Sequence, residues 1–223
     1  MLAVADLVAT LATVLVLGFI TSRLVGGLRA TRSPSGRAVL AGVRSRLGWR
    51  HVWPVPVLLA VVLVAATLAM QVPGLDWGWW TALGGDGNPV FGSSQATAGT
   101  ALEWIVPLVF MTMLLPALPL FANAEERIFR AGAERWSPAR RVLKTLQFGM
   151  VHALIGIPLG AALALSIGGA YFMWVYLREF ATTGSPQAAT LESTTAHTVY
   201  NGVIIVLVYI TVIWVAVAGS APA

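Results

Sequence analysis

The chain contains no cysteine, and only nine of its 223 residues are Asp or Glu. Without cysteine there is no disulfide framework, no thiolate nucleophile and no thiolate metal site. Charged residues of both signs make up only 10% of the sequence, where a soluble domain carries roughly a quarter. Against these shortages, 57% of the residues are hydrophobic and the mean hydropathy is +0.80. That balance excludes a soluble globular domain. It predicts an all-α, polytopic transmembrane helix bundle with no separate soluble domain. No internal repeat is visible. The net charge of +5 does not read as nucleic-acid binding, because topology accounts for where the basic residues fall. The first apolar segment follows Asp6 and no basic residue, and no convincing small-residue cleavage site comes after it. It is therefore expected to be a retained span, not a signal peptide.

Four apolar stretches are plain, at 2–22, 53–72, 101–124 and 197–218. Each is near the ~20 residues that a helix needs to cross the hydrocarbon. The region 141–176 is longer, and Gly156-Ile157-Pro158 interrupts it near the middle. Proline in a helix interior removes a backbone hydrogen bond. Ser137-Pro138 has the form of an N-cap followed by proline at the first helical position. These signals predict helices over 138–156 and 159–177, and so six spans in all. With the N-terminus outside, all 14 Lys and Arg then lie on the cytoplasmic side. Five spans would move only Arg178 outside, so charge alone barely separates the two topologies.

Residues 1–99 would hold two N-terminal spans, a basic cytoplasmic loop over 23–50 and an outer loop over 73–99. The cytoplasmic loop is expected to lie on anionic lipid. In the outer loop, Trp77, Trp79 and Trp80 are expected to anchor at the interface. Residues 100–218 would form the functional core.

The scarcity of acidic residues makes one place conspicuous. Glu125 and Glu126 are adjacent and directly follow the apolar run 102–121. Charges at membrane depth cost a few kcal/mol each and are usually functional. Glu126 and Arg130 are four residues apart, on one helix face, and form a predicted ion pair. Glu125 points about 100° away and is left as the free carboxylate. Phe148 precedes His152 by four residues, and His197 precedes Asn201 by four, so each pair also shares a face. Depth favours a single site. Glu125 and His152 each lie about 12 Å from the basic cytoplasmic boundary at 1.5 Å per residue. His197 joins them only when the last span starts on the cytoplasmic side, which six spans require.

Glu-Glu-x-x-x-Arg, Phe-x-x-x-His and His-x-x-x-Asn, in that order on successive membrane helices, resemble the CPBP family. This is the family of type II CAAX prenyl endopeptidases with their abortive-infection and bacteriocin-immunity relatives. The local runs Glu-Glu-Arg-Ile-Phe-Arg and Phe-Gly-Met-Val-His fit as well, as does Tyr176-Leu177-Arg178 ahead of the last motif. The resemblance covers about residues 100–205 and leaves the first two spans unaccounted for. Two departures are present. Ala131 stands where the family often has glycine after the motif arginine, and the chain has fewer spans than many members.

The resemblance implies endopeptidase activity inside the membrane, near the cytoplasmic face, on a membrane-associated protein or peptide. Glu125 and His152 would activate a water. His197 and Asn201 would stabilise the oxyanion. Glu126 and Arg130 would orient the helix, with Phe148 packing beside the site. One Glu and two His, here Glu125, His152 and His197, could instead bind Zn²⁺. The metal-free reading is preferred, because the His-Glu-x-x-His helix of common zinc proteases is absent. Asn201 also suits an oxyanion better than it suits zinc. Two other classes compete. One is a non-catalytic immunity or scaffold protein that binds a peptide in the same cleft. The other is a proton-coupled transporter, which the missing repeat disfavours. The richness in Ala, Val, Arg and Trp points to a GC-rich bacterial genome and hence to a bacterial plasma membrane. In that setting prenylated substrates are not expected. Substrate identity and oligomeric state are not legible in the sequence.

Overall fold

A computed structural model describes residues 2–82 and 100–218. The remainder of the expected outer loop, 83–99, lies outside the described residues. All regular structure among the described residues is helical. In chain order the helices are α1 (Leu2–Ala30), α2 (Pro34–Arg46), α3 (Trp49–Val52), α4 (Pro54–Ala69), α5 (Trp79–Ala82), α6 (Leu102–Phe129), α7 (Pro138–Met150), α8 (Leu159–Thr183) and α9 (Pro186–Ala218). Two 3₁₀ turns, Ala133–Arg135 and Val151–Ile155, flank α7.

Four helical stretches are long and apolar enough to cross a membrane: Trp49–Ala69, Trp104–Arg135, Leu159–Thr183 and Pro186–Val215. A fifth arises if α1 and α2, bent by 83° at their junction, count as one broken span. The protein is thus a membrane helix bundle. Its outward surface carries large apolar side chains such as Leu63, Val64, Ile105, Ile210 and Trp214, as a lipid-facing surface requires.

Local chemistry sets the boundaries. Ser33 and Ser137 cap α2 and α7, each accepting a backbone N–H through its hydroxyl, with proline at the next position. Gly156 closes the turn after α7 with φ 91°, and α8 begins just beyond Pro158. The expected break at 156–158 is therefore where the structure has it. The expected helix over 138–156 is thirteen residues of α-helix followed by a tighter 3₁₀ turn. The last helix starts at Pro186, about three turns before the expected 197. Glu192, Ser193, Thr194 and Thr195 look like loop residues in the sequence, yet all four are buried in the bundle.

At the centre is α8, with 56% of its apolar stretch buried. It packs on α4, α7 and α9. Glycine permits the close approach of α7 and α8. A Cβ on Gly169 would come within 2.7 Å of the Phe148 ring, and one on Gly149 would collide with Ser166 and the Ala162 carbonyl. Small residues at membrane helix contacts allow such backbone proximity. α7 starts at the end of α6 and its 3₁₀ extension ends beside the 70–80 turn, where Trp79 donates to the Leu154 carbonyl at 3.2 Å. α8 then runs back. The end of α6 and the start of α9 consequently meet.

Candidate functional site

α6 supplies Glu125, Glu126 and Arg130 from its last turns. Glu126 and Arg130 are fully buried, and Arg130 Nη1 donates to Glu126 Oε1 at 2.7 Å. Arg130 Nη2 also donates to the Gly169 carbonyl at 3.3 Å, and its guanidinium lies 4.1 Å from the centre of the Phe148 ring. A buried charge persists only when paired and further hydrogen-bonded, and both conditions are met. The expected Glu126–Arg130 pair is present.

Glu126 does more than hold the arginine. Its Oε1 accepts from His197 Nδ1 at 2.9 Å, and its Oε2 accepts from the Ser193 hydroxyl. With its Nδ1 proton committed to a carboxylate, neutral His197 presents Nε2 as an acceptor. The Asn201 amide donates to that Nε2 at 3.0 Å. The imidazole stacks on Phe172 at 4.4 Å between centres and meets Phe148 edge-on at 5.4 Å. Ser193, His197 and Asn201 are spaced by four and share one stripe of α9.

Glu125 lies on the other side of the same ring. Its Oε2 is 3.7 Å from His197 Nε2, is buried, and has no hydrogen-bond partner among the described residues. The side chain as a whole is 35% exposed. The two adjacent carboxylates thus face opposite nitrogens of one imidazole. Glu125 also lines a groove of about 260 Å³ between α1 and α6, walled by Phe19, Ile20, Leu24, Phe110 and Phe121. Arg23 also lines this groove.

His152 sits on the 3₁₀ turn after α7. Its Nδ1 donates to the Phe148 carbonyl at 2.9 Å. It meets the cluster through the Phe148 ring, at 5.4 Å. Phe148, expected to pack beside the site, is its hub: Arg130, His152 and His197 all contact its ring. Tyr200 and Met173 are buried in the packed core, whereas Trp174 is exposed under Arg178.

A zinc site does not fit this arrangement. Among the described residues no three His, Asp or Glu side chains gather around one point. Both His197 nitrogens are engaged, by Glu126 and by Asn201.

The sequence reading missed the third histidine. His51, on α3, is buried, and its Nε2 lies 3.0 Å from Glu192 Oε1. Arg50 Nη2 reaches the same carboxylate at 3.0 Å and Arg46 approaches it at 3.8 Å. This cluster ties the basic segment to α9 one residue from Ser193. Its sequence signal is Glu192 itself, a lone carboxylate in a run otherwise free of charge. Ser193 was visible as the third member of the His197–Asn201 stripe, but it falls outside the apolar window. No family model matches the chain, and no curated protein or solved structure is similar to it.

Proposed function

We propose that the chain is an intramembrane endopeptidase that hydrolyses a peptide bond of a membrane-associated protein or peptide by activating water with Glu125 and His152. The likeness to the CPBP family rests on the motif residues alone. The observation that carries the reading is the His197 imidazole held by Glu126 and Asn201 with Glu125 Oε2 3.7 Å from its Nε2, and with Arg130, His152 and His197, from α6, the turn after α7 and α9, around the Phe148 ring. Isolated buried polar groups in a membrane bundle commonly serve as structural glue. Here, however, Glu125 Oε2 is buried with no hydrogen-bond partner among the described residues, beside a Glu126 carboxylate bonded to Arg130, His197 and Ser193. Such a division between locked and open groups is what a reacting site requires.

In this mechanism, a water near Glu125 and the His152 Nε2 gives a proton to the Glu125 carboxylate as its oxygen attacks the peptide carbonyl. The proton then passes to the leaving nitrogen as the C–N bond breaks. Positioned general-base catalysis of this kind contributes about 10²–10⁴-fold. Asn201 is the oxyanion donor. One of its N–H groups holds His197 Nε2, and the second is available to the developing charge. With Nδ1 held by Glu126 and Nε2 by Asn201, His197 is assigned to orienting Asn201. Glu126, Arg130 and Ser193 are positioning residues.

The topology that goes with this reading has six spans, with the N-terminus outside and α7 and its 3₁₀ extension as the fourth crossing. The site then lies towards the cytoplasm of a bacterial plasma membrane. The test is cleavage of fluorogenic membrane-anchored peptides in liposomes by the wild type, Glu125→Gln and His152→Ala, with and without chelator. The proposal expects cleavage in the wild type alone, unchanged by chelator. A biological activity that survives Glu125→Gln would instead favour a non-cleaving scaffold.

A further inference from the structure

A second hollow lies away from this site. It measures about 600 Å³ and occupies the angle between α4 and α7, both of which pack on α8. Its walls are apolar and largely small, with Ala65 and Ala69 from α4, Leu146 from α7, and Leu163 and Ala170 from α8. It extends along α8 from Leu163 to Met173, about 15 Å at 1.5 Å per residue. That is about half the ~30 Å hydrocarbon thickness, the depth of one leaflet. Beside it, Val142 and Leu143 project outward from α7, 60% and 54% exposed.

One end is basic. Arg141 lines the hollow there. It donates through Nε to the Ala133 carbonyl at 3.0 Å and through Nη2 to the Glu134 carbonyl at 3.4 Å, while Nη1 has no partner among the described residues. Arg140 and Lys144 share the first turns of α7, over the rings of Trp136 and Phe129. None of the three is in an ion pair among the described residues. Arg141, the one cation that lines the hollow among the described residues, thus stands at the end of an apolar channel one leaflet deep, with Arg140 and Lys144 nearby on the same helix.

We propose that this hollow binds one anionic phospholipid, with an acyl chain between α4, α7 and α8 and its phosphate at Arg141. The apolar walls select a lipid over a soluble anion, and the basic end selects an anionic headgroup over a zwitterionic one. α7 carries Phe148 and leads directly into the 3₁₀ turn that carries His152, so the lipid would brace the element that positions both. The inference is independent of whether the protein cleaves peptides.

The full chain, delipidated in detergent, is offered phosphatidylglycerol and phosphatidylcholine, and retained lipid is counted by native mass spectrometry. The wild type is expected to keep one phosphatidylglycerol in preference, by about five-fold for a single basic contact near the headgroup. Arg141→Gln should lose the preference. Ala170→Trp, at an exposed position that leaves the Arg141 bonds intact, should lose retention of either lipid. Equal or absent retention of both lipids by the wild type would overturn the proposal. So would an unchanged preference in Arg141→Gln or unchanged retention in Ala170→Trp.

Discussion

Replacing Arg130 by methionine removes the arginine paired with the fully buried Glu126 carboxylate. Glu126 would then keep only His197 and Ser193 as donors. Removing one partner of a buried pair costs about 3–5 kcal/mol, because the other charge is left uncompensated. Loss of the contact with Phe148 at 4.1 Å adds about 1 kcal/mol. Glu126→Gln alone strands the guanidinium instead. The double variant Glu126→Gln/Arg130→Met buries no charge, and the new amide oxygen still accepts from His197. Exchange of a whole buried pair for neutral groups is often close to neutral. The double-mutant cycle should therefore show a coupling of at least about 2 kcal/mol. Reversible unfolding in mixed micelles, followed by the fluorescence of the nine tryptophans, measures all four proteins. Additive single effects, or an Arg130→Met cost below about 1 kcal/mol, would refute the argument that this pair is buried and interdependent.

Further outcomes follow from other contacts. Gly149→Leu should destabilise the α7–α8 contact by about 1–3 kcal/mol or more, since even a Cβ there meets Ser166 and the Ala162 carbonyl; unfolding midpoints report it. Glu192→Ala should cost about 1.5–3 kcal/mol by stranding buried His51, with Glu192→Gln milder because the amide retains an acceptor; the same unfolding assay separates them. Imidazole ¹⁵N spectra are tractable, since the chain has three histidines. Neutral His152 should carry its proton on Nδ1, and an Nε2–H tautomer would contradict the bond to Phe148.

Much of the core was readable because its signals are local. Four-residue spacing placed Glu126 with Arg130 and His197 with Asn201, and both contacts are present. Ser137-Pro138 and Gly156-Ile157-Pro158 mark the boundaries of α7 and α8 as their cap and positive-φ chemistry requires. What was hidden depends on tertiary partners. Hydropathy reads Glu192, Ser193 and Thr194 as loop because it cannot know that Arg50, His51, Glu126 and Asn123 satisfy their polar groups. The opposed placement of Glu125 and Glu126 on one imidazole was likewise not deducible from either helix alone. It arises only when α6 and α9 pack together.

The central claim is that a water, activated at Glu125, cleaves a peptide bond. The most direct measurement is mass spectrometry of the products formed from a membrane-anchored peptide library in H₂¹⁸O, with wild-type protein and Glu125→Gln in liposomes. The account predicts one ¹⁸O in the newly formed carboxyl group of a wild-type product, and no product from a folded Glu125→Gln. Equal cleavage by both proteins, or no product from the wild type on any peptide, would contradict it.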